Sequence, residues 1–169
     1  MIIIKNKITT YELATMGIML AIIEIAKISL SLILGVELVT LLFIISTITF
    51  KNKTFYLLCS FLLVEGILNG FGIWWFMYVY IWLILILIVL KFQNHKSVLF
   101  WGVLSGMFGL IFGALCFPIY FIVGGLDMAF SWWVAGITTD IIHGFSNFLL
   151  CMFLFSPLSK LTKKLTIDD

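Results

Sequence analysis

The lysines of this chain mark every second boundary between its apolar runs, and that spacing constrains the fold more than any other feature. Nine of the ten lysines fall at segment ends: Lys5 and Lys7, Lys51 and Lys53, Lys91 and Lys96, and Lys160, Lys163 and Lys164. The intervening boundaries, around Gly35, Gly72–Ile73 and Gly124–Asp127, carry none, and the chain has no arginine. The runs between boundaries predict helices over Tyr11–Leu34, Val36–Phe50, Thr54–Gly72, Trp74–Phe92, Val98–Val123 and Met128–Phe155. At about 1.5 Å per residue, some 20 residues cross a hydrocarbon core of about 30 Å. The second run is shorter than that, but deleting it would break the lysine alternation, so it is kept as a crossing. Six crossings place every end lysine on one side. The positive-inside rule makes that side, and both termini, cytoplasmic.

Composition agrees with a bilayer as solvent. The chain is 63% hydrophobic and 11% charged, with mean hydropathy +1.24, against about 25% charged residues in soluble domains. The expected architecture is all-α: a single multi-pass transmembrane domain over residues 1–169 in the cell membrane, surrounded by the lipid bilayer. The lysine-bearing start resembles a signal peptide, but Tyr11–Leu34 is too long for a signal's apolar region and no polar mature domain follows. The first helix is therefore expected to be retained. Cys59, Cys116 and Cys151 stand singly in apolar runs and read as packing residues.

Against this background Glu24, Lys27, Glu65, Asp140 and His143 stand out. An ionised group at mid-bilayer costs roughly 2.5–3.5 kcal/mol on insertion scales, so such residues mark function or paired packing. With helix directions assigned, Glu24 falls near mid-membrane and Lys27 in the outer half. Glu65 and Asn69, four apart, share a face. Asp140, His143 and Asn147 share another, descending from the outer half. Three sequence-distant helices thus bring polar groups to similar depth. Paired charges that only fix helix packing are the alternative, but three carboxylates and one lysine do not neutralise each other, and a polar pocket accounts for the surplus better. Trp74, Trp75, Tyr78, Trp132 and Trp133 cluster at outer boundaries. An interfacial belt explains most of them, while Trp75, Tyr78 and Trp132 are candidate pocket walls.

Several classes are disfavoured. There is no phosphate loop and no dinucleotide fingerprint, so the chain cannot energise transport itself. Hydrolase and kinase signatures are missing, and no enzymatic activity is expected. One membrane histidine without clustered cysteines gives no metal site, and neither a cofactor nor a nucleic-acid partner is expected. Small residues form two stripes. Gly102, Gly106, Gly109 and Gly113 are expected to serve internal packing, with Pro118 bending or breaking the helix that carries them. Ala14, Gly17 and Ala21 form a face open to close approach by another helix.

The six spans with both ends inside, the Gly17/Ala21 motif and the outer-half polar pocket resemble a substrate-specific S component of an energy-coupling factor vitamin transporter. The stretches Val36-Glu37-Leu38-Val39, Glu65-Gly66-Ile67-Leu68-Asn69-Gly70-Phe71-Gly72-Ile73-Trp74-Trp75 and Asp140-Ile141-Ile142-His143-Gly144 strengthen the likeness, which covers essentially the whole chain. The resemblance implies a membrane-embedded protein that captures a small water-soluble vitamin-like ligand from outside. A membrane scaffold subunit and two cytosolic ATPase subunits would then topple it to release the ligand inside. It implies that Ala14, Gly17 and Ala21 dock on the scaffold, with Gly-x-x-x-Ala standing where the family carries Ala-x-x-x-Ala. The ligand would be met by Glu24, Lys27, Glu65, Asn69, Trp75, Tyr78, Asp140, His143 and Asn147, under lids around Gly35–Glu37 and Gly70–Trp75. An autonomous proton-coupled carrier or channel, and a structural membrane protein, are the competing readings.

Overall fold

A computed structural model describes residues 8–164; Lys5 and Lys7 lie outside the described residues. All regular elements among them are helical: α1 (Thr10–Leu30), α2 (Val39–Phe50), α3 (Thr54–Asn69), α4 (Ile73–Phe92), α5 (Val98–Leu110) and α6 (Phe112–Lys164), with a short 3-10 turn at Lys51–Lys53. Four continuous helical stretches, Thr10–Leu30, Val39–Asn69, Ile73–Phe92 and Val98–Lys164, are long and apolar enough to cross a membrane. The outer faces are apolar too, with Leu13, Ile25, Leu87, Leu99, Phe145 and Phe153 exposed. In water such a surface would aggregate, whereas in lipid it is matched.

Two of these stretches double back, and the side chains show where. Lys51 takes a positive φ of 52°. Beyond it Phe61 returns against Phe43, with ring centroids 5.3 Å apart, so α2 and α3 form an antiparallel hairpin. The long α6 is interrupted at Gly125, whose φ of 76° lies in the left-handed region that only glycine enters without strain. Around it Trp132 stacks on Tyr120 at 4.3 Å. The arm before Gly125 therefore continues α5, and the arm after it runs back alongside.

Directions alternate through the bundle. Glu12 at the start of α1 meets Lys53 at 2.6 Å, and Lys27 near its end meets Glu65, so α1 and α3 run parallel. Phe92 touches Phe100 and Trp82 approaches Phe112, so α4 and the α5–α6 segment are antiparallel. Thr49 reaches Thr162 at 3.4 Å while Glu37 reaches His143 at 3.1 Å, which makes α2 parallel to the second arm of α6. Every described end lysine consequently gathers at the end of the bundle marked by Glu12. Lys27 sits toward the opposite end.

The glycine stripe packs internally, as expected. A Cβ on Gly109 would meet the Gly144 backbone at 2.9 Å, and one on Gly106 the Gly144 carbonyl at 3.0 Å. Bare backbone is what lets these two helices touch. Of the bend or break expected at Pro118, no break is present: the helix is interrupted instead at Ile111 (φ −96°, ψ 3°) and stays helical through Pro118. The helix of the first span ends at Leu30 rather than Leu34, and the last continues to Lys164. A dense core fills the lysine-rich half and the centre, including Phe43, Phe61, Ile81, Leu85 and Trp101.

Candidate functional site

At the end away from the lysines, α1 stops and the chain crosses to α2 through residues 31–38. Gly35 makes that path possible: its φ is 69°, and a Cβ there would press on Ile142 at 3.0–3.1 Å. Ser146 ties the crossing down by donating to the Gly35 carbonyl at 2.8 Å. Glu37 then enters the bundle. Its Oε2 accepts the Thr40 amide at 2.9 Å, serving one of the open N–H groups at the start of α2 where negative charge is favoured. Its Oε1 accepts from Asn147 Nδ2 at 2.8 Å and meets His143 Nε2 at 3.1 Å. An ionised carboxylate only accepts, so Nε2 carries the hydrogen. Burial alone would raise the Glu37 carboxyl, but the His143 and Thr40 contacts outweigh it and hold it below the ordinary carboxylate value.

Between this crossing, α4 and both arms of α6 lies a cavity of about 600 Å³. Its charged and polar wall is Lys27, Glu37, Thr139, Asp140 and His143, and its aromatic wall is Phe61, Tyr78, Trp82, Phe112 and Trp132. This is the size and mixture expected of a small-molecule site, with apolar walls and a few placed polar groups. Lys27 pairs with Glu65 and lies 5.2 Å from the Tyr78 ring and 5.7 Å from the Trp74 ring. Asp140 sits in the notch left by Gly113, whose N–H donates to Oδ1 at 3.1 Å; a Cβ on Gly113 would collide with the carboxylate.

The residues expected at the site divide into three groups. Lys27, Tyr78, Asp140 and His143 line the cavity. Glu65, Asn69 and Asn147 stand behind it: Glu65 is fully buried on Lys27 and accepts from Asn69 at 3.2 Å, and Asn147 supports Glu37. Glu24 and Trp75 do not reach the wall. Glu24 is buried facing the Glu65 carboxyl, while the Trp75 indole donates to the Leu62 carbonyl at 2.8 Å and fastens the α3–α4 hairpin. Of the two lid segments, Gly35–Glu37 lines the cavity and Gly70–Trp75 does not. Among the described residues no three His, Cys, Asp or Glu side chains converge as a metal-binding group.

Sequence reasoning left Glu37, Trp82, Thr139 and Phe112 out of the site. Glu37 was expected only within an outer lid, and its turn inward rests on bonds from Asn147 and His143 of α6, which no local sequence signal announces. Ala14, Gly17 and Ala21 are exposed on α1, and a Cβ on Gly17 would meet nothing within 4 Å.

Fold and site together define a class: an apolar helical bundle suited to a bilayer, with a mixed polar and aromatic cavity toward one end. Compared with protein-family models, curated proteins and solved structures, the chain shows no significant match.

Proposed function

We propose that the protein is the substrate-binding S component of an energy-coupling factor importer, crossing the cell membrane six times with both termini in the cytoplasm. The observation that carries the reading is the 600 Å³ cavity walled by Lys27, Glu37, Asp140, His143 and five aromatic side chains, lying toward the end opposite the lysines. Under the positive-inside rule that end faces outward. A vitamin-like solute enters there and rests on the aromatic wall. Beneath it the bundle is filled by Phe43, Phe61, Ile81 and Leu85, which suits capture better than conduction.

Delivery then requires partners. The exposed Ala14, Gly17 and Ala21 face supports docking of a scaffold subunit, since small residues let two backbones approach closely. Two cytosolic ATPases attached to that scaffold supply the energy, and this chain performs no catalysis. Glu24, Glu65, Asn69 and Asn147 act from behind the wall by holding Lys27 and Glu37, and Trp75 acts by fixing the α3–α4 hairpin.

The test is mass spectrometry of small molecules that copurify with the solubilised protein, combined with capture of the scaffold and ATPases by the tagged chain. A near-stoichiometric solute and an intact complex are expected, the complex being lost in Gly17→Leu. Uptake by the purified protein alone in liposomes, without ATP, would overturn the reading in favour of an autonomous carrier.

A further inference from the structure

Resting on the capture-site reading, we infer that the cavity selects an organic cation, a flat ring bearing positive charge or a protonated ring nitrogen, with Asp140 as its counter-ion. The inference follows from which charges in the wall are already answered. Lys27 is neutralised by the fully buried Glu65, and its ammonium also lies over the Tyr78 and Trp74 rings. An anionic ligand drawn to Lys27 would have to compete with that carboxylate. Glu37 is answered by Asn147, by His143 and by the α2 amide of Thr40. Asp140 has only a peptide N–H, from Gly113 to Oδ1. It is more than nine-tenths buried, yet it lines the cavity. A carboxylate so placed, with Oδ2 holding no hydrogen bond among the described residues, is costly in a low-dielectric wall unless a cation or strong donor meets it.

The rest of the wall fits the same occupant. Trp132, held by stacking on Tyr120 at 4.3 Å, belongs to the arm that carries Asp140, two helical turns earlier. Tyr78 and Trp82 line the cavity from α4. Aromatic faces attract positive charge and stack on flat rings, whereas they offer an anion nothing. Lys27, the nearest fixed positive group, is committed to Glu65, and His143 meets Glu37 through Nε2. The cavity therefore presents negative charge and π-faces to its contents.

One ring in three charge states tests this directly. Binding of 1-methylnicotinamide (cation), nicotinamide (neutral) and nicotinate (anion) to the purified protein in nanodiscs is followed by intrinsic tryptophan fluorescence, which Trp82 and Trp132 report from the wall. The cation is expected to bind roughly tenfold more tightly than the neutral ring, and the anion most weakly. Asp140→Asn keeps an oxygen for the Gly113 N–H, so it is expected to remove the preference for the cation, bringing its affinity down to that of the neutral ring. Equal affinities, an anion-first order, a preference that survives Asp140→Asn, or no binding by any of the three would overturn the inference. The capture reading beneath it falls separately, through the absence of any copurifying solute.

Discussion

Replacing Lys27 by Met is expected to cost more stability than replacing its partner Glu65, because the two ends of the pair are unequally exposed. The Lys27 side chain is 28% exposed and the Glu65 side chain is fully buried. Without Lys27, Glu65 loses its cation and keeps the Asn69 amide and the Glu24 carboxyl that faces it. Breaking a buried pair from one side costs about 3–5 kcal/mol, and partial exposure of Lys27 places this case near 3. Glu65→Leu instead leaves an ammonium that still meets two aromatic faces and some solvent, at about 1 kcal/mol. The double variant removes both charges and should recover most of the Lys27→Met loss. At about 2–4 °C per kcal/mol, Lys27→Met lowers the melting midpoint by roughly 6–12 °C. A thiol-reactive dye measures this well, since Cys116 and Cys151 are buried and the exposed Cys59 is first changed to Ala. A Lys27→Met shift under about 2 °C, or a double variant equal to the sum of the single ones, would refute the argument.

Three further outcomes follow from the packing and the crossing. Gly109→Leu forces a side chain against the Gly144 backbone and should lower stability by at least about 1–3 kcal/mol, whereas Gly17→Leu, with open space around it, should change the melting midpoint by no more than about 1–2 °C. Because Glu37 is held below the ordinary carboxylate value of 4.5, its contribution is complete above about pH 4.5 and is lost as pH falls through its folded value. Glu37→Gln should therefore flatten the acid limb of a stability-versus-pH curve, and an unchanged limb would contradict that assignment. Trp75→Phe removes the hydrogen bond to the Leu62 carbonyl and is expected to cost about 1 kcal/mol of stability with ligand affinity unaltered.

Much of the helical layout was legible because one-dimensional signals encode it. Lysine spacing, run length and the glycines near residues 35, 70 and 125 each mark a boundary, and the chain turns at all three. The glycine stripe of α5 was legible for the same reason, since spacings of three and four residues imply one helix face. What sequence could not supply was which polar neighbour each charge would choose. Glu65, Asn69 and Asp140 were recognisable as buried polar groups, but whether each lines a cavity or supports another residue depends on contacts between helices far apart in sequence. Trp75 shows this well: an interfacial tryptophan and one fastened to a neighbouring helix carry the same local sequence signal. Glu37 was misplaced for a different reason. A carboxylate two residues after Gly35, between two apolar runs, looks solvated until the start of α2 and two donors from α6 converge on it.

The convergence on Glu37 also explains why the cavity sits where it does. Residues 31–38 would close over the bundle end if they packed flat, but Gly35 is pinned to Ser146 and Glu37 is drawn inward by Asn147 and His143. Both anchors lie on the second arm of α6, the same helix that presents Asp140 and Trp132. The wall that supplies the unanswered carboxylate therefore also holds the crossing in position. An occupant that attracted Asp140 or displaced His143 would act on α6 and on the 31–38 crossing together, because Ser146, Asn147 and His143 bond that crossing directly. Under the capture reading, occupancy and the conformation of that crossing would be coupled through this helix, and loosening Ser146 or Asn147 should weaken the coupling without removing any charge that faces the ligand.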